Sequence, residues 1–136
     1  MIEMRLLMPG AVNELWPTLL PLVEEATDLA VRTAEELRQM LITGQVFGVA
    51  VLKEEEIVGF TTAQFRPVGD KLILAVITFS GVQVNLWWRD WLKMLEALAK
   101  KNRVDFLEFE TRRKASRTFT NWLGFKPVAT LYRRAL

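Results

Sequence analysis

Two carboxylates, Glu108 and Glu110, have the spacing best suited to proton transfer. They lie two residues apart in a segment that alternates as a β-strand, so both should face one side of a sheet. Paired carboxylates can take a proton from an amine, directly or through water. Arg112 continues the same alternation, and the competing interpretation is a solvated face whose charges balance. The solvated face is the simpler interpretation, because no pocket can be demonstrated around these residues from sequence.

Other acid–base chemistry is restricted by the residue types that the chain lacks. There is no Cys and no His among its 136 residues. Disulfides, thiolate nucleophiles, a histidine base and zinc sites of Cys and His are therefore excluded. Carboxylates, lysines, hydroxyls, Tyr132 and backbone amides remain, and no metal site is expected.

Length and composition indicate a single globular domain over residues 1–136. Hydrophobic residues make up 51% and charged residues 25%, which is ordinary for a domain with one core. The N-terminus lacks the pattern of a signal peptide, and no apolar run reaches about 18 residues. We therefore expect a cytoplasmic protein, or one packaged inside a particle, without membrane contact.

Positive charge is concentrated toward the C-terminus. Residues 1–99 carry 8 basic and 13 acidic side chains (8 − 13 = −5), whereas residues 100–136 carry 10 basic and 3 acidic ones (10 − 3 = +7). The densest part is the cluster of Arg112, Arg113, Lys114 and Arg117, which could contact the phosphates of a nucleic acid. Ordinary surface charge is the simpler alternative.

Hydrophobic periodicity predicts an α/β (α+β) fold with a mixed sheet of about six strands and four helices, in the order β-α-α-β-β-β-α-β-α-β. Pro17 and Pro21 remove amide donors from the first helix, which should be short, kinked or restarted. Thr33 and Glu36 form a capping box for the second helix, which Gly44 ends. The predicted strands are 2–8, 46–52, 57–66, 71–79, 104–111 and 125–134, and the helices are 11–26, 33–44, 86–101 and 114–123.

The predicted strand from Lys71 to Phe79 organises this fold. It is apolar on both faces, so it should be central and covered on both sides. Residues 46–79 form an antiparallel meander, and the turn at 53–56 should be longer than two residues because it lacks Asn-Gly or Asp-Gly. The strand 104–111 should pair parallel to the central strand after a helical crossover. Ligands of open α/β sheets bind at the carboxyl ends of strands, which makes the turn from Ser80 to Trp88 the expected site.

Three tryptophans follow that turn within five residues. Trp88 and Trp91 share a helical stripe with Leu95 and Leu98, which predicts that they are buried. Helical geometry at about 100° per residue places Trp87 on the flank of the stripe. We therefore expect Trp87 to be partly exposed and to be a candidate contact for a protein partner.

The order of elements and two local motifs resemble the GNAT (N-acetyltransferase) superfamily. The segment from Val46 to Phe60, with Ile57-Val-Gly59 near its end, is similar to the family's hairpin. Leu123-Gly-Phe125 is similar to the family's signature before the final strand. The resemblance covers nearly the whole chain and implies acetyl-CoA bound where the central strand separates from the next one. In the family, glycines of the following loop and a helix N-terminus hold the pyrophosphate.

The loop and the expected acid position depart from the family pattern. The glycine positions of the loop align with Val84, Leu86 and Trp88, and Gly81 is the only glycine left. Many members carry a Tyr as general acid where this chain has Thr120, whose hydroxyl is too weak an acid near pH 7. These departures predict a GNAT-fold protein with no cofactor and no acetyl transfer.

Three functions stay open from the sequence. The first is a binding or assembly component with a protein partner or self-association, similar to the GNAT-like proteins of phages and prophages, some of them in virions. The second is an acetyl-CoA-dependent N-acetyltransferase, in which the amides of Ser80, Gly81 and Val82 hold the cofactor and Glu108 or Glu110 acts through water. The third is nucleic-acid binding through the basic cluster at 112–117.

Overall fold

A computed structural model describes residues 1–26, 33–109 and 134–135 of the chain. These residues form five strands and three helices, and short 3-10 turns at Pro9–Ala11 and Val84–Leu86 precede the first and third helices. None of the described helices is long and apolar enough to span a membrane. The strands are β1 (Ile2–Leu7), β2 (Phe47–Lys53), β3 (Glu56–Val68), β4 (Lys71–Gly81) and β5 (Phe106–Phe109), and the helices are α1 (Val12–Ala26), α2 (Ala34–Thr43) and α3 (Trp88–Lys101).

This order confirms the predicted mixed α+β architecture as far as β5. The predicted last helix and nearly all of the predicted last strand lie outside the described residues. The same holds for several of the predicted site residues: Glu110, Arg112, Arg113, Lys114, Arg117 and Thr120.

The strands form one sheet in the order β1-β2-β3-β4-β5. The first four strands are antiparallel neighbours, and β5 pairs parallel to β4 over Ile73–Val76. All four residues of that stretch are buried, so β4 is covered on both faces. The predicted meander, the helical crossover and the buried central strand are therefore confirmed.

Helices cover the sheet from both sides and create two hydrophobic cores. One core joins α1 and α2 to the sheet, with Leu19 and Leu37 packed in the same cluster as Phe60 of β3. The other lies under α3 and includes Trp91 and Leu95 together with Leu74 of β4. The sheet thus supplies residues to both layers, with β3 contributing Phe60 to one core and Ala63 to the other.

The first helix runs through both of its prolines without interruption. We predicted a short, kinked or restarted helix, but α1 keeps all 15 residues from Val12 to Ala26 with Pro17 and Pro21 inside it. Pro21 lacks the amide that would bond to the carbonyl of Pro17, so the two prolines weaken the same part of the helix. Burial of the apolar face outweighs this loss, because most helix stability in proteins comes from such packing. The buried residues of that face are Val12, Trp16, Leu19 and Val23.

Local signals place the ends of α2 correctly. The Glu36 amide donates to the Thr33 hydroxyl at 3.1 Å, and that hydroxyl donates to the Glu36 carboxylate at 3.3 Å. Gly44 ends the helix at φ 79°, a left-handed conformation that costs glycine nothing. The predicted capping box and glycine stop are confirmed.

The β2–β3 turn has only two residues, which corrects the longer loop that we predicted. Lys53 pairs with Glu56, and Glu54 and Glu55 between them have φ values of 52° and 70°. Positive φ at both positions is the geometry of a type I′ turn, which Asn-Gly usually occupies. The paired strands on either side hold the two glutamates in this strained conformation.

A β-bulge at Ile77 interrupts the pairing of β3 with β4. Ala63 pairs with Val76, but Thr62 pairs with Thr78, so Ile77 has no partner in the ladder. The hydroxyls of Thr62 and Thr78 lie 2.7 Å apart, and the Thr61 hydroxyl donates to the Thr78 carbonyl at 2.7 Å. The irregularity is therefore stabilised by buried hydrogen bonds.

Candidate functional site at the end of β4

In the part of the chain that the structure describes, the last residues of β4 extend past the last residue of β5. Within the described residues β5 ends at Phe109, which pairs with Val76. From Thr78 to Gly81, β4 pairs with β3 on one side. The other edge of this stretch, which we call the β4 edge, is the place predicted for a ligand.

Hydrogen bonding to β3 determines which amides face the β4 edge. The Val82 amide donates to the Val58 carbonyl at 2.8 Å, so this amide is already engaged. Hydrogen-bonded and non-hydrogen-bonded pairs alternate along an antiparallel ladder, which places Ser80 with Phe60 in a hydrogen-bonded pair. Phe79 and Gly81 then occupy the alternate positions, and their amides are directed away from β3. Of the three amides predicted to hold a cofactor, the one at Gly81 is directed to the β4 edge.

Two glycines face each other across β3 and β4 beneath an indole ring. A Cβ on Gly59 would lie 2.6 Å from the Cζ2 atom of Trp87, and a Cβ on Gly81 would lie 2.7 Å from the same atom. The Gly81 Cβ would also lie 2.5 Å from the Val58 carbonyl oxygen. Both glycines are therefore required by the packing of Trp87 against the sheet.

Trp87 is buried, contrary to our prediction of a partly exposed aromatic. Its side chain is 1% exposed, and its indole nitrogen donates to the Val82 carbonyl at 2.9 Å. The prediction placed Trp87 on the helix, whereas α3 begins at Trp88 and Trp87 precedes it with φ −136° and ψ −2°. The helical angle of about 100° per residue does not apply to a residue outside the helix. Trp88, which we assigned to the buried stripe, is half-buried and carries the Arg89 guanidinium 4.5 Å above its ring.

The loop between β4 and α3 has the low-glycine structure that the sequence indicates. Val82 and Leu86 are exposed, and Gln83 has a left-handed φ of 53° without being a glycine. Lys53 donates to the Gln83 side chain at 3.4 Å. The first amides of α3 lie at the end of this loop, where a helix has no internal acceptors for them.

A shallow depression beside this loop does not suit an anion. It has a volume of about 490 Å³ and combines one lysine with two carboxylates. A phosphate there would meet like charge, so we do not assign the pyrophosphate to it. Its lining residues are Lys53, Glu54, Glu56, Ile57, Val58, Val82 and Gln83.

Glu108 is the predicted catalytic carboxylate that the structure describes. It pairs with Ala75 in β5 and lies on the face opposite to Leu107, which packs in the core under α3. Its side chain is 39% exposed, and its Oε2 atom lies 3.9 Å from the Arg66 guanidinium, which is 47% exposed. The carboxylate is accessible to water, and an ion pair this exposed contributes little stability.

Two buried polar atoms near the β4 edge have no hydrogen-bond partner in the described structure. They are the Ser80 hydroxyl oxygen and the Trp91 indole nitrogen. Trp91 is 2% exposed, and its ring centroid lies 4.4 Å from that of Phe79, which follows the bulge in β4. The helical spacing of Trp91 indicates only that this residue is buried. The sequence therefore does not mark it as a site residue.

Comparison with solved structures shows that the chain shares its fold with acetyltransferases. An aminoglycoside acetyltransferase from an uncultured soil metagenomic sample has a TM-score of 0.75 and 14% identity, covering 100% of this chain and 99% of its own. A GNAT family acetyltransferase from Staphylococcus aureus has a TM-score of 0.71 and 15% identity, covering 99% and 98%. The ribosomal-protein-alanine N-acetyltransferase of Brucella melitensis biovar Abortus has a TM-score of 0.70 and 12% identity, covering 100% and 98%. No protein-family model and no curated protein matches the sequence.

At such low identities the similarity establishes the fold, and the chain therefore has the GNAT fold. These neighbours are acetyltransferases by name, and they give no support to the predicted phage or virion affiliation. Nucleic-acid binding stays a prediction, because the cluster at 112–117 lies outside the described residues.

Proposed function

We propose that this protein is an acetyl-CoA-dependent N-acetyltransferase with an atypical pyrophosphate loop. The observation that carries the proposal is the β4 edge, where the amides of Phe79 and Gly81 are directed away from β3. Two amides spaced two residues apart suit an extended ligand that carries its own amide groups, because such a ligand can hydrogen-bond to an edge as an added strand does. The pantetheine arm of acetyl-CoA is such a ligand.

The donor set at the β4 edge suits the thioester and amide part of acetyl-CoA. Two buried donors have no partner among the described residues: the Ser80 hydroxyl, next to Gly81 in β4, and the Trp91 indole, whose ring contacts Phe79. Carbonyl oxygens accept hydrogen bonds from groups of this kind. The phosphates would depend on the first amides of α3 and the helix dipole, since the loop before α3 offers no glycine. We therefore expect weaker cofactor binding than a glycine-rich loop would give.

Glu108 is the predicted catalytic carboxylate among the described residues, and we propose it as the proton acceptor for the amine. Acetyl-CoA, when bound, would supply an acetyl thioester, whose carbonyl carbon would bond to the amine nitrogen while the carbon–sulfur bond breaks and CoA leaves as a thiolate that takes up a proton from water. The attacking amine must lose a proton, and Glu108 can accept it through an intervening water because its carboxylate is partly exposed. Glu110 remains the predicted alternative.

The assembly role predicted from the sequence has less support. Trp87, which we predicted as an exposed aromatic contact for a partner, is buried against the two glycines. We therefore prefer the enzymatic function.

Calorimetric titration of the full chain with acetyl-CoA tests the proposal directly. We expect heat of binding at micromolar to submillimolar concentration, followed by release of the CoA thiol when a suitable amine is added. The first amines to test are an aminoglycoside and a peptide with an N-terminal alanine, because the structural neighbours named above act on such groups by name. A titration without heat up to millimolar acetyl-CoA would contradict the proposal.

The variant Glu108→Gln separates catalysis from binding. We expect kcat to fall about 100-fold, because the amide cannot accept the proton, while the affinity for acetyl-CoA stays unchanged. Glu96→Gln, on the exposed face of α3, is the matched control and should leave kcat unaltered. Equal turnover of both variants would remove Glu108 from the mechanism and direct attention to Glu110.

A further inference from the structure

Trp87 and Trp91 differ in the hydrogen bonding of their indole nitrogens. Both rings are buried, with 1% and 2% exposure, and both contact the ring of Phe79. The Trp87 nitrogen donates to the Val82 carbonyl at 2.9 Å. The Trp91 nitrogen has no acceptor in the described structure and is closed to water. Of these two rings, Trp91 is the one whose indole donor has no acceptor among the described residues.

An unused buried donor is costly to keep. The indole N–H loses its hydrogen bonds with water on folding, and nothing in the described structure replaces them. A phenylalanine would fill much of the same space without that loss. Buried polar groups without partners are few in native structures, so each calls for an explanation, and a ligand is one.

The surroundings of Trp91 indicate the acceptor that it could bind. Its ring is tilted at 51° to the ring of Phe79, and the Phe79 amide is directed to the β4 edge. A neutral donor among aromatic rings suits a neutral acceptor, because a phosphate would bring charge into an apolar environment. A carbonyl oxygen meets this requirement, since it accepts hydrogen bonds and carries no net charge.

We propose that the Trp91 indole N–H is a ligand-binding donor, which pairs with a carbonyl oxygen of the acyl thioester or the pantetheine amides at the β4 edge. This inference rests on the function proposed above. The N–H is covered in the free chain, so the ligand must displace the atoms that cover it. Trp91 would then help to determine which ligand is bound, by requiring a carbonyl group at that position.

The variants Trp91→Phe and Trp87→Phe form a matched pair for the test. Both remove an indole nitrogen from a buried ring beside Phe79. Trp87→Phe also breaks a hydrogen bond and leaves the Val82 carbonyl without its donor, whereas Trp91→Phe breaks no hydrogen bond among the described residues. In thermal unfolding of the free chains, we expect Trp91→Phe to lower Tm less than Trp87→Phe does. An equal or larger loss for Trp91→Phe would mean that its N–H has a partner in the protein, which would overturn the inference.

Ligand binding provides the second measurement. Trp91→Phe should weaken acetyl-CoA binding about three- to tenfold, which is the loss expected for one hydrogen bond. In ¹⁵N–¹H spectra, the indole signal that disappears in Trp91→Phe should move downfield when the wild-type chain binds acetyl-CoA.

The outcomes separate this inference from the proposed function. If wild-type protein binds acetyl-CoA but Trp91→Phe binds it equally well and the indole signal does not move, the role of Trp91 is wrong and the enzymatic function stands. If the wild-type chain binds no acetyl-CoA, the proposed function fails, and the ligand assigned to Trp91 fails with it.

Discussion

Gly81 is constrained by its neighbours more tightly than its place in a loop sequence indicates. We predicted that its amide holds a cofactor. A bulky substitution at Gly81 is not a clean test of that role. The residue lies against the Val58 carbonyl, Gly59 and the Trp87 ring, so a side chain disturbs the sheet before any ligand is present. Loss of activity in a Gly81 variant would therefore report on folding.

Gly81→Ala should lower the free energy of unfolding by at least about 2 kcal/mol, because its Cβ would lie 2.5 Å from the Val58 oxygen and backbone cannot move aside easily. Urea unfolding of the full chain measures this change. Gly10→Ala is the matched control, since nothing lies within 4 Å of a Cβ there, and its effect should stay within about 1 kcal/mol. Similar losses for the two variants would contradict the packing described for Trp87.

At the scale of elements, the β2–β3 hairpin stores conformational strain in its turn. Glu54 and Glu55 both have positive φ. Residues other than Gly, Asn and Asp rarely adopt this conformation. The strain is tolerated because Lys53 pairs with Glu56 and fixes the hairpin register. A substitution in this turn can therefore raise the stability of the protein without altering the strands.

Glu55→Gly should raise the free energy of unfolding by about 1 kcal/mol, because glycine adopts a φ of 70° without steric cost. The rise should appear as a higher Tm in calorimetry. Glu56→Gly provides the contrast, since this residue lies in β3 and glycine weakens a strand, so its Tm should fall. A lower Tm for Glu55→Gly would mean that the turn is not of the type I′ class.

The sequence predicts a structural feature where the signal is local. It fails to predict one where packing between distant residues determines the conformation. Thr33 and Gly44 define the ends of α2 through contacts within a few residues, so their pattern predicts the structure. The prolines of α1 and the glutamates of the β2–β3 turn break local preferences, and the buried helix face and the paired strands override them. The burial of Trp87 could not be predicted, because it depends on Gly59 and Gly81, which come from two different strands.

The candidate site was predictable in position but not in detail. The apolar run of β4 and the turn that follows it indicate where a ligand should bind. The unused donor on Trp91 could be found only from coordinates, since a buried indole in a sequence carries no sign of whether its nitrogen has a partner.

At the scale of the whole molecule, the two cores are joined through the strands they share. Phe60 belongs to the core under α1 and α2, while Val58 and Ala63 of the same strand belong to the core under α3. If either layer unfolds, the strands that it shares with the other core lose part of their packing. The described domain should therefore unfold as one unit.

Leu37→Ala and Leu95→Ala test this coupling from opposite sides of the sheet. Each removes a fully buried side chain and should cost about 2–5 kcal/mol. In each variant, unfolding curves from far-UV circular dichroism and from tryptophan fluorescence should coincide. Leu86→Ala, at an exposed position, should change stability by less than about 0.5 kcal/mol. Separated transitions in either core variant would show that the layers unfold independently.

The bulge at Ile77 changes which residues of β4 face each side of the sheet. Before it, Leu74 and Val76 belong to the core under α3, and Phe79 after it belongs to the same core, although an uninterrupted strand would direct it to the other side. One inserted residue thus brings Phe79 to the two tryptophans and places Ser80 opposite Phe60, on the side of α1 and α2. The aromatic side of the proposed site is set by the length of the strand as much as by its residues, and a single-residue deletion before Thr78 would exchange the two faces.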